Sequence, residues 1–208
     1  MRELVGIAEE LGIGALLVKD ESARLGLPAF KILGASWAAE CALRERPETH
    51  TLVAASAGNH GRAVARVAAM RGLGCRIFLP ERALAARREA IEREGANVMV
   101  VAGSYEDAVA AAEADARRRG LLLIADVGAA GPPAWVIDGY ATLFEEAHDQ
   151  AAYDLLLVPV GVGSLAAAAA RHAAAVGASV VGVEPATAAC LTESLASGRP
   201  VAVETPGT

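Results

Sequence analysis

Lysine is scarce in this sequence. Its 208 residues include nineteen basic side chains, and all of them are arginine except Lys19 and Lys31. Arginine keeps its charge and cannot form a Schiff base, so a retained lysine is a candidate for chemistry that needs a free amine. Composition alone leaves Lys31 open to two explanations, an amine with a chemical function or an ordinary surface lysine.

Cysteine is also scarce, and so are clusters of positive charge. Cys41, Cys75 and Cys190 are far apart and lack a C-x-x-C pair or a histidine at ligand spacing, which favours reduced thiols in a cytoplasm over a metal site. The formal charge is -6 and the basic residues cluster only at 117–119. A nucleic-acid partner is therefore not expected.

No stretch of the sequence is typical of a targeting or membrane-spanning segment. The N-terminus carries Glu3, Glu9 and Glu10 where a secretory signal needs apolar residues. The longest apolar run, residues 155–170, is interrupted by one proline and two glycines. It predicts a strand and a helix joined by a turn, so no membrane association is expected.

Short apolar runs alternate with alanine-rich stretches of helical period. The runs are apolar nearly throughout, as in strands covered on both faces: LLVK, TLVAAS, CRIFLP, NVMVVAG, LLLIAD, DLLLVPVG and SVVGVEP. The predicted helices cover about 34–46, 59–71, 83–94, 105–119, 138–150, 163–175 and 187–197. This order predicts an α/β fold with parallel sheets flanked by helices.

The alternation is interrupted over residues 126–139, DVGAAGPPAWVIDG, which carry three glycines and a proline pair. Such a stretch predicts a crossing loop between two lobes. Residues 34–139 would form a small αβα lobe, and residues 1–33 with 140–208 a larger one. A small-molecule site is expected in the cleft between them.

Three motifs are placed at the ends of predicted strands, where open parallel sheets bind ligands. AFK ends at Lys31, SAGNHG presents Asn59 and His60 at a helix start, and GVGSL is a glycine-rich turn whose amides suit a phosphate. GVGSLA also fits the pattern G-x-G-x-x-A, with Glu184 where a ribose-binding acid would lie. A dinucleotide-binding oxidoreductase is therefore an alternative.

Taken together, these motifs resemble the pyridoxal-phosphate enzymes of the tryptophan-synthase-β type (fold type II), and within them the diaminopropionate ammonia-lyase branch. The resemblance is carried by four collinear stretches: VKDESARLGLPAFKILGASWA (18–38), AGNHGR (57–62), GYATLFEEA (139–147), and VGVGSLA with VVGVEP (160–166 and 180–185). It extends in order through essentially the whole chain.

The resemblance implies pyridoxal 5'-phosphate as cofactor, anchored by the larger lobe. Lys31 would hold the cofactor aldehyde as a Schiff base, and Asn59 would hydrogen-bond its phenolic oxygen. Asp126 matches an acidic position of the ammonia-lyase branch and is the candidate acid/base group, whereas His60 is either a supporting hydrogen-bonding group or simply packed. The phosphate would be held by backbone amides of Gly161, Val162, Gly163, Ser164 and Leu165.

The implied reaction is β-elimination from a small amino acid such as 2,3-diaminopropionate, giving a 2-oxo acid and ammonia, in a cytoplasmic homodimer. Ala57 stands where the branch has an aspartate, so a threonine or serine dehydratase is an alternative. Family members begin earlier and end later, so we expect a chain truncated at both ends. A truncated, non-catalytic family member is a further alternative.

Overall fold

The structure, a computed structural model, describes residues 1–126 and 131–203. The strands are Arg2–Glu3 (β1), Leu17–Val18 (β2), Thr51–Ala55 (β3), Gly74–Pro80 (β4), Asn97–Val101 (β5), Leu122–Leu123 (β6), Leu155–Pro159 (β7) and Ser179–Val183 (β8). The helices are Val5–Leu11 (α1), Lys31–Glu45 (α2), Asn59–Met70 (α3), Ala85–Glu92 (α4), Tyr105–Arg119 (α5), Pro132–Gly139 (α6), Ala141–Gln150 (α7), Ser164–Val176 (α8) and Cys190–Ser197 (α9). A short 3₁₀ turn, Ala186–Ala188, precedes α9.

The chain divides into two compact units. The central unit is Ala29–Gly139, and the flanking unit combines Met1–Pro28 with Tyr140–Thr208. The predicted boundary between residues 33 and 34 lies inside α2. Residues 29–33 belong to the central unit because Lys31–Glu45 is one continuous helix.

The central unit contains a parallel sheet of strand order β5-β4-β3-β6. Leu52 of β3 lies opposite Cys75 of β4 and Leu122 of β6. Because side chains alternate along a strand, the two faces of β3 and β4 carry different residues. Val53 and Phe78 pack against alanines of α5, and the side chain of Ile77 faces α3. Coverage of both faces explains why these two strands are apolar at nearly every position.

Helix α5 has the bounds that the sequence predicts, because both of its ends carry strong signals. Ser104 and Asp107 form a capping box, in which each side chain accepts a hydrogen bond from the other residue's backbone N–H, at 3.2 and 2.7 Å. At the other end Gly120 adopts a left-handed conformation, φ 67°, that terminates the helix.

Two predictions in the central unit are wrong. Lys31 does not follow a strand but is the first residue of α2, because Gly34 is an interior helical residue packed against Gly139 and not a helix start. Residues 132–139 of the predicted crossing loop form α6, since prolines are tolerated in a first helical turn. Residues 127–130 of that loop lie outside the described residues.

The flanking unit pairs β1 with β2 and β7 with β8. The first pair is antiparallel, so the prediction of parallel pairing for LLVK is wrong; its partner β1 is only Arg2–Glu3, too short to recognise from sequence. The second pair is parallel. Within residues 1–126 and 131–203, no helix has the length and apolar character needed to cross a bilayer.

The predicted helix over 138–150 is two helices, because α6 ends at Gly139 and α7 begins at Ala141. The prediction that both faces of the strands DLLLVPVG and SVVGVEP are covered is also wrong. Helix α8 packs against the β7–β8 pair, while Leu155, Leu157, Val181 and Val183 are exposed. Alternation along the strands places these four side chains on one face.

Lys19, the other lysine, lies in an ion-pair cluster of the flanking unit. Its Nζ contacts Glu146 Oε2 at 2.6 Å and Glu21 Oε1 at 3.8 Å. Arg24 donates to both carboxylates, at 2.6 Å to Glu21 and 2.5 Å to Glu146. The side chain of Lys19 is therefore accounted for by these contacts between the segment after β2 and helix α7.

Candidate functional site

Lys31 and Asp126 form the centre of the candidate site in the central unit. Lys31 Nζ donates a hydrogen bond of 3.0 Å to Asp126 Oδ2, and 20% and 12% of the two side chains are exposed. Helix α2 positions the lysine. The aspartate follows β6, where Ile124 N donates to Val53 O at 2.8 Å and extends the sheet pairing. The structure therefore joins an amine and a carboxylate that are 95 residues apart in sequence.

The carboxyl group of Asp126 is an anion near neutral pH. Burial alone would raise its pKa, but the fields of His60 and Lys31 and the hydrogen bond from Lys31 outweigh burial and lower the pKa below its ordinary value. The pair is thus a proton donor held against a proton acceptor. Such a pair suits general acid–base chemistry on a bound small molecule.

His60, the second residue of α3, is 3% exposed and faces the same carboxylate. Its Nε2 lies 2.8 Å from the carbonyl oxygen of Ile124, and its Nδ1 lies 3.9 Å from Asp126 Oδ2. Nδ1 has no hydrogen-bond partner among the described residues. Burial lowers the pKa of the ring.

Asn59 is the first residue of α3 and is exposed. It lines a cavity of about 320 Å³ together with Gly58 and Arg62 on one side and Arg87 and Ile91 of α4 on the other. Its amide can therefore reach a small molecule placed at this end of α3. Ala57 lines the same cavity.

The glycine-rich turn of residues 161–165 belongs to the flanking unit and is described by itself. Gly163 has φ 93° and precedes Ser164, the first residue of α8. A Cβ atom built at Gly161 or Gly163 would meet nothing within 4 Å. Backbone N–H groups at a helix start beside open space fit a phosphate group.

Glu184, which the dinucleotide alternative needs for a ribose, has another role. Its carboxylate accepts hydrogen bonds from the backbone N–H groups of Leu191 and Thr192, both at 2.8 Å, and from the Thr192 hydroxyl at 2.7 Å. It therefore caps the start of α9. The structure gives no support to a ribose-binding acid at this position.

Two further groups lie beside predicted site residues. The Tyr105 hydroxyl donates to Ala55 O at 3.3 Å, and burial together with the charge of Asp126 raises its pKa to about 12. In the flanking unit, the Cys190 thiol donates to Gly161 O at 2.9 Å. No spacing or motif in the sequence indicates either contact. The described residues contain no cluster of histidine, cysteine and carboxylate side chains that could hold a metal.

The profile described as "Pyridoxal-phosphate dependent enzyme" matches residues 1–208. The chain belongs to this family. The prediction of the family is thereby confirmed, and so is the predicted cofactor, pyridoxal 5'-phosphate. The amine, the amide and the open glycine-rich turn are groups that fit an aldehyde-bearing phosphate ester.

Relatives of known name agree with this assignment. The chain is 33% identical to diaminopropionate ammonia-lyase of Salmonella typhimurium, over 80% of this chain and 48% of the relative. It is 31% identical to the L-threonine dehydratase IlvA of Corynebacterium glutamicum, over 96% of this chain and 46% of the relative. The chain thus spans about half the length of the curated relatives it matches.

Solved structures of the family show the same fold. Diaminopropionate ammonia-lyase from Escherichia coli, in complex with an aminoacrylate-PLP azomethine reaction intermediate, has a TM-score of 0.90 and 31% identity, covering 96% of this chain and 58% of the other. A threonine deaminase from Solanum lycopersicum has a TM-score of 0.84. The predicted α/β fold of parallel sheets flanked by helices is therefore confirmed.

Proposed function

We propose that this protein is a lyase that removes the β-substituent of a small amino acid, with 2,3-diaminopropionate as the favoured substrate. The observation that carries the proposal is the hydrogen bond of 3.0 Å between Lys31 Nζ and Asp126 Oδ2. The similarity to diaminopropionate ammonia-lyases supports the choice of substrate.

The chain supplies the groups that this chemistry needs. When bound, pyridoxal phosphate contributes an aldehyde that condenses with an amine and a ring that delocalises negative charge. Lys31 is the amine we assign to that aldehyde, and Asn59 is assigned to the phenolic oxygen. The backbone amides of residues 161–165 are assigned to the phosphate, because an α8 of thirteen residues starts there beside open space.

Proton transfer is assigned to the Lys31 and Asp126 pair. The Lys31 amine takes the α-proton of the substrate and becomes an ammonium group. It passes a proton to the Asp126 carboxylate, to which it is hydrogen-bonded. Asp126 then delivers that proton to the departing β-amine, which leaves as ammonia. Hydrolysis of the remaining enamine consumes one water and releases the α-amine as a second ammonia, leaving a 2-oxo acid. Both groups are largely shielded from solvent, which strengthens such charge-dependent steps.

A test of this proposal is ammonia release by the protein loaded with pyridoxal phosphate. We expect 2,3-diaminopropionate to be consumed faster than serine, threonine or 3-hydroxyaspartate, with two ammonia molecules formed per 2-oxo acid. Faster turnover of serine or threonine would instead identify a dehydratase.

The dehydratase is the second candidate because Ala57 lacks the carboxylate that the ammonia-lyase branch carries before GNHG, and because the threonine dehydratase similarity covers 96% of this chain. The variant Ala57→Asp separates the two. If the ammonia-lyase assignment is right, the added carboxylate raises the rate with diaminopropionate more than the rate with serine. An equal or opposite change favours the dehydratase.

Asp126→Asn tests the acid–base assignment directly. The amide keeps the size of the side chain but cannot exchange a proton, so we expect kcat to fall by about 10²- to 10⁴-fold. Asp149→Asn is the matched control, because Asp149 is exposed at the end of α7. Equal rates in the two variants would remove Asp126 from the mechanism.

We further propose a homodimer, on the family resemblance. Light scattering of the purified protein at several concentrations measures the subunit number directly, and a mass of one chain at every concentration would contradict it.

A further inference from the structure

His60 carries a buried nitrogen whose position is not explained by packing. Nε2 already bonds to the backbone, which is sufficient to anchor the ring. Nδ1 nevertheless points at Asp126 Oδ2 from 3.9 Å, without a hydrogen-bond partner in the described part of the chain. Buried polar atoms are nearly always paired, so an unpaired one needs an explanation, and a catalytic role is one of those known for such atoms.

The hydrogen bond to Ile124 determines the tautomer of the ring. A backbone carbonyl can only accept, so His60 Nε2 carries the proton, and in the neutral ring Nδ1 is a lone pair. Lys31 Nζ and His60 Nδ1 therefore face the same oxygen, Asp126 Oδ2, from two elements, α2 and α3. One of these groups is a donor and the other an acceptor.

We propose that His60 is a positioning residue for Asp126 that shares the proton which this carboxyl group exchanges during the reaction. This inference rests on the acid–base function proposed above for Asp126. While Asp126 is a carboxylate that accepts from Lys31, it carries no proton that it could donate to His60 Nδ1. The distance from Nδ1 to Asp126 Oδ2 is therefore 3.9 Å, longer than a hydrogen bond. When Asp126 becomes protonated, its O–H can donate to Nδ1 after a small rotation of the carboxyl group.

The proton is shared within a single hydrogen bond, between the carboxyl group of Asp126 and His60 Nδ1. Transfer breaks the O–H bond of Asp126 and forms an N–H bond at Nδ1, giving an imidazolium beside a carboxylate, and the return step reverses both changes. The environment of the His60 ring has opposing effects on its pKa. Burial lowers the pKa of His60 first of all, Asp126 and the Ile124 carbonyl raise it, and Lys31 lowers it. The charge of Asp126 also raises the pKa of Tyr105, which belongs to α5.

The first test needs neither cofactor nor activity. In protein labelled with ¹⁵N-histidine, the signal of His60 is assigned among the four histidines by its loss in His60→Gln. At pH 7 we expect a neutral ring with the proton on Nε2. Asp126→Asn should lower the pKa of His60, and Lys31→Ala should raise it, while the pKa of His172, in the flanking unit, should not change. A proton on Nδ1, or a titration that ignores both substitutions, overturns the inference.

The second test uses two amide replacements with different geometry. In His60→Gln the amide nitrogen occupies the place of Nε2 and keeps the bond to Ile124, but nothing replaces Nδ1. In His60→Asn the amide nitrogen occupies the place of Nδ1 and donates to Asp126, without a titrating group. A purely structural role predicts that His60→Gln is the milder change.

For a proton-sharing role, we expect both variants to lower kcat by roughly tenfold or more and to leave KM little changed. The loss should be smaller than the loss of about 10²- to 10⁴-fold that follows removal of an acid–base group itself. The acid limb of the pH profile of kcat should also shift. His50→Gln, in the loop before β3, should leave rate and profile unchanged. An unaltered pH profile in His60→Gln contradicts the inference. If no substrate is turned over, the proposed function fails while the NMR result still decides the role of His60.

Discussion

Gly61 lies where helix α3 approaches the end of strand β3 too closely for a side chain. A Cβ atom at this position would overlap the backbone carbonyl of Ser56 and come within 3.2 Å of Ile77 Cγ2. The carbonyl cannot move aside as a flexible side chain would. The second glycine of AGNHG is thus required for packing, and this close approach holds Asn59 and His60 at the edge of the sheet.

We expect Gly61→Ala to reduce the free energy of unfolding by about 1–3 kcal/mol, because overpacking against backbone forces the helix outward. Denaturant unfolding measures the change. Gly6→Ala is the matched control, since Gly6 is also helical and has no atom within 4 Å of an added Cβ. There the alanine should be neutral or stabilising by up to about 1 kcal/mol. Equal destabilisation in both variants would refute the packing explanation.

The sequence indicates which residues are candidates for the site, but it does not indicate how their side chains are oriented. Lysine scarcity and motif resemblance were enough to select Lys31, Asn59 and Asp126 as candidates. His60 Nδ1 has no partner within residues 1–126 and 131–203, and its orientation depends on the bond of the other ring nitrogen to Ile124 O, 64 residues away in sequence. Contacts of that kind arise from tertiary packing and leave no local pattern.

Among the helices, α2 and α6 account for the two main differences between the predicted and the observed helix bounds. A Cβ at Gly139 would lie 2.7 Å from Leu33 O and 2.8 Å from Gly34 Cα, so the two helices touch through glycines. Read along the sequence, a glycine suggests a helix end and a proline pair suggests a loop. Read across the contact, the same glycines permit close approach and the prolines occupy a first turn.

The ion-pair cluster of the flanking unit gives α7 a pH-dependent link to the segment after β2. Hydrogen bonds from Arg24 and Lys19 lower the pKa of Glu146 to about 2, from an ordinary value of 4.5. A carboxyl group whose pKa is lower in the folded state stabilises the fold fully above its unfolded pKa. That stabilisation is lost as pH falls from about 4.5 toward 2.

Glu146→Gln should therefore lower the melting temperature at pH 6 by a few degrees, and the difference from the unsubstituted protein should shrink as the pH is taken toward 2. Thermal unfolding followed by circular dichroism across this range provides the measurement. Glu10→Gln, on the exposed side of α1, serves as control and should show little difference at any pH. A constant difference for Glu146→Gln would mean that its charge is not the stabilising feature.

For the chain as a whole, apolar runs predict the α/β class because strands β3 and β4 of the central sheet are covered on both faces. The same kind of run in β7 and β8 led to a wrong expectation, since Leu155, Leu157, Val181 and Val183 are exposed. An apolar run in the sequence shows that both faces of a strand carry apolar side chains. It does not show which other elements pack against those faces.

Lys31, Asn59 and Asp126 all belong to the central unit. We propose that Lys31 is the amine that carries pyridoxal phosphate. Because the chain contains only two lysines, one labelling experiment can identify the amine that is used.

The measurement is reduction of the loaded protein with borohydride, followed by peptide mass mapping of the fixed cofactor. We predict attachment at Lys31, its loss in Lys31→Ala, and its retention in Lys19→Arg, a variant whose guanidinium can keep the ion pair with Glu146. Attachment at Lys19 or at the N-terminal amine, or an undiminished label in Lys31→Ala, would show that Lys31 is not the cofactor-binding amine.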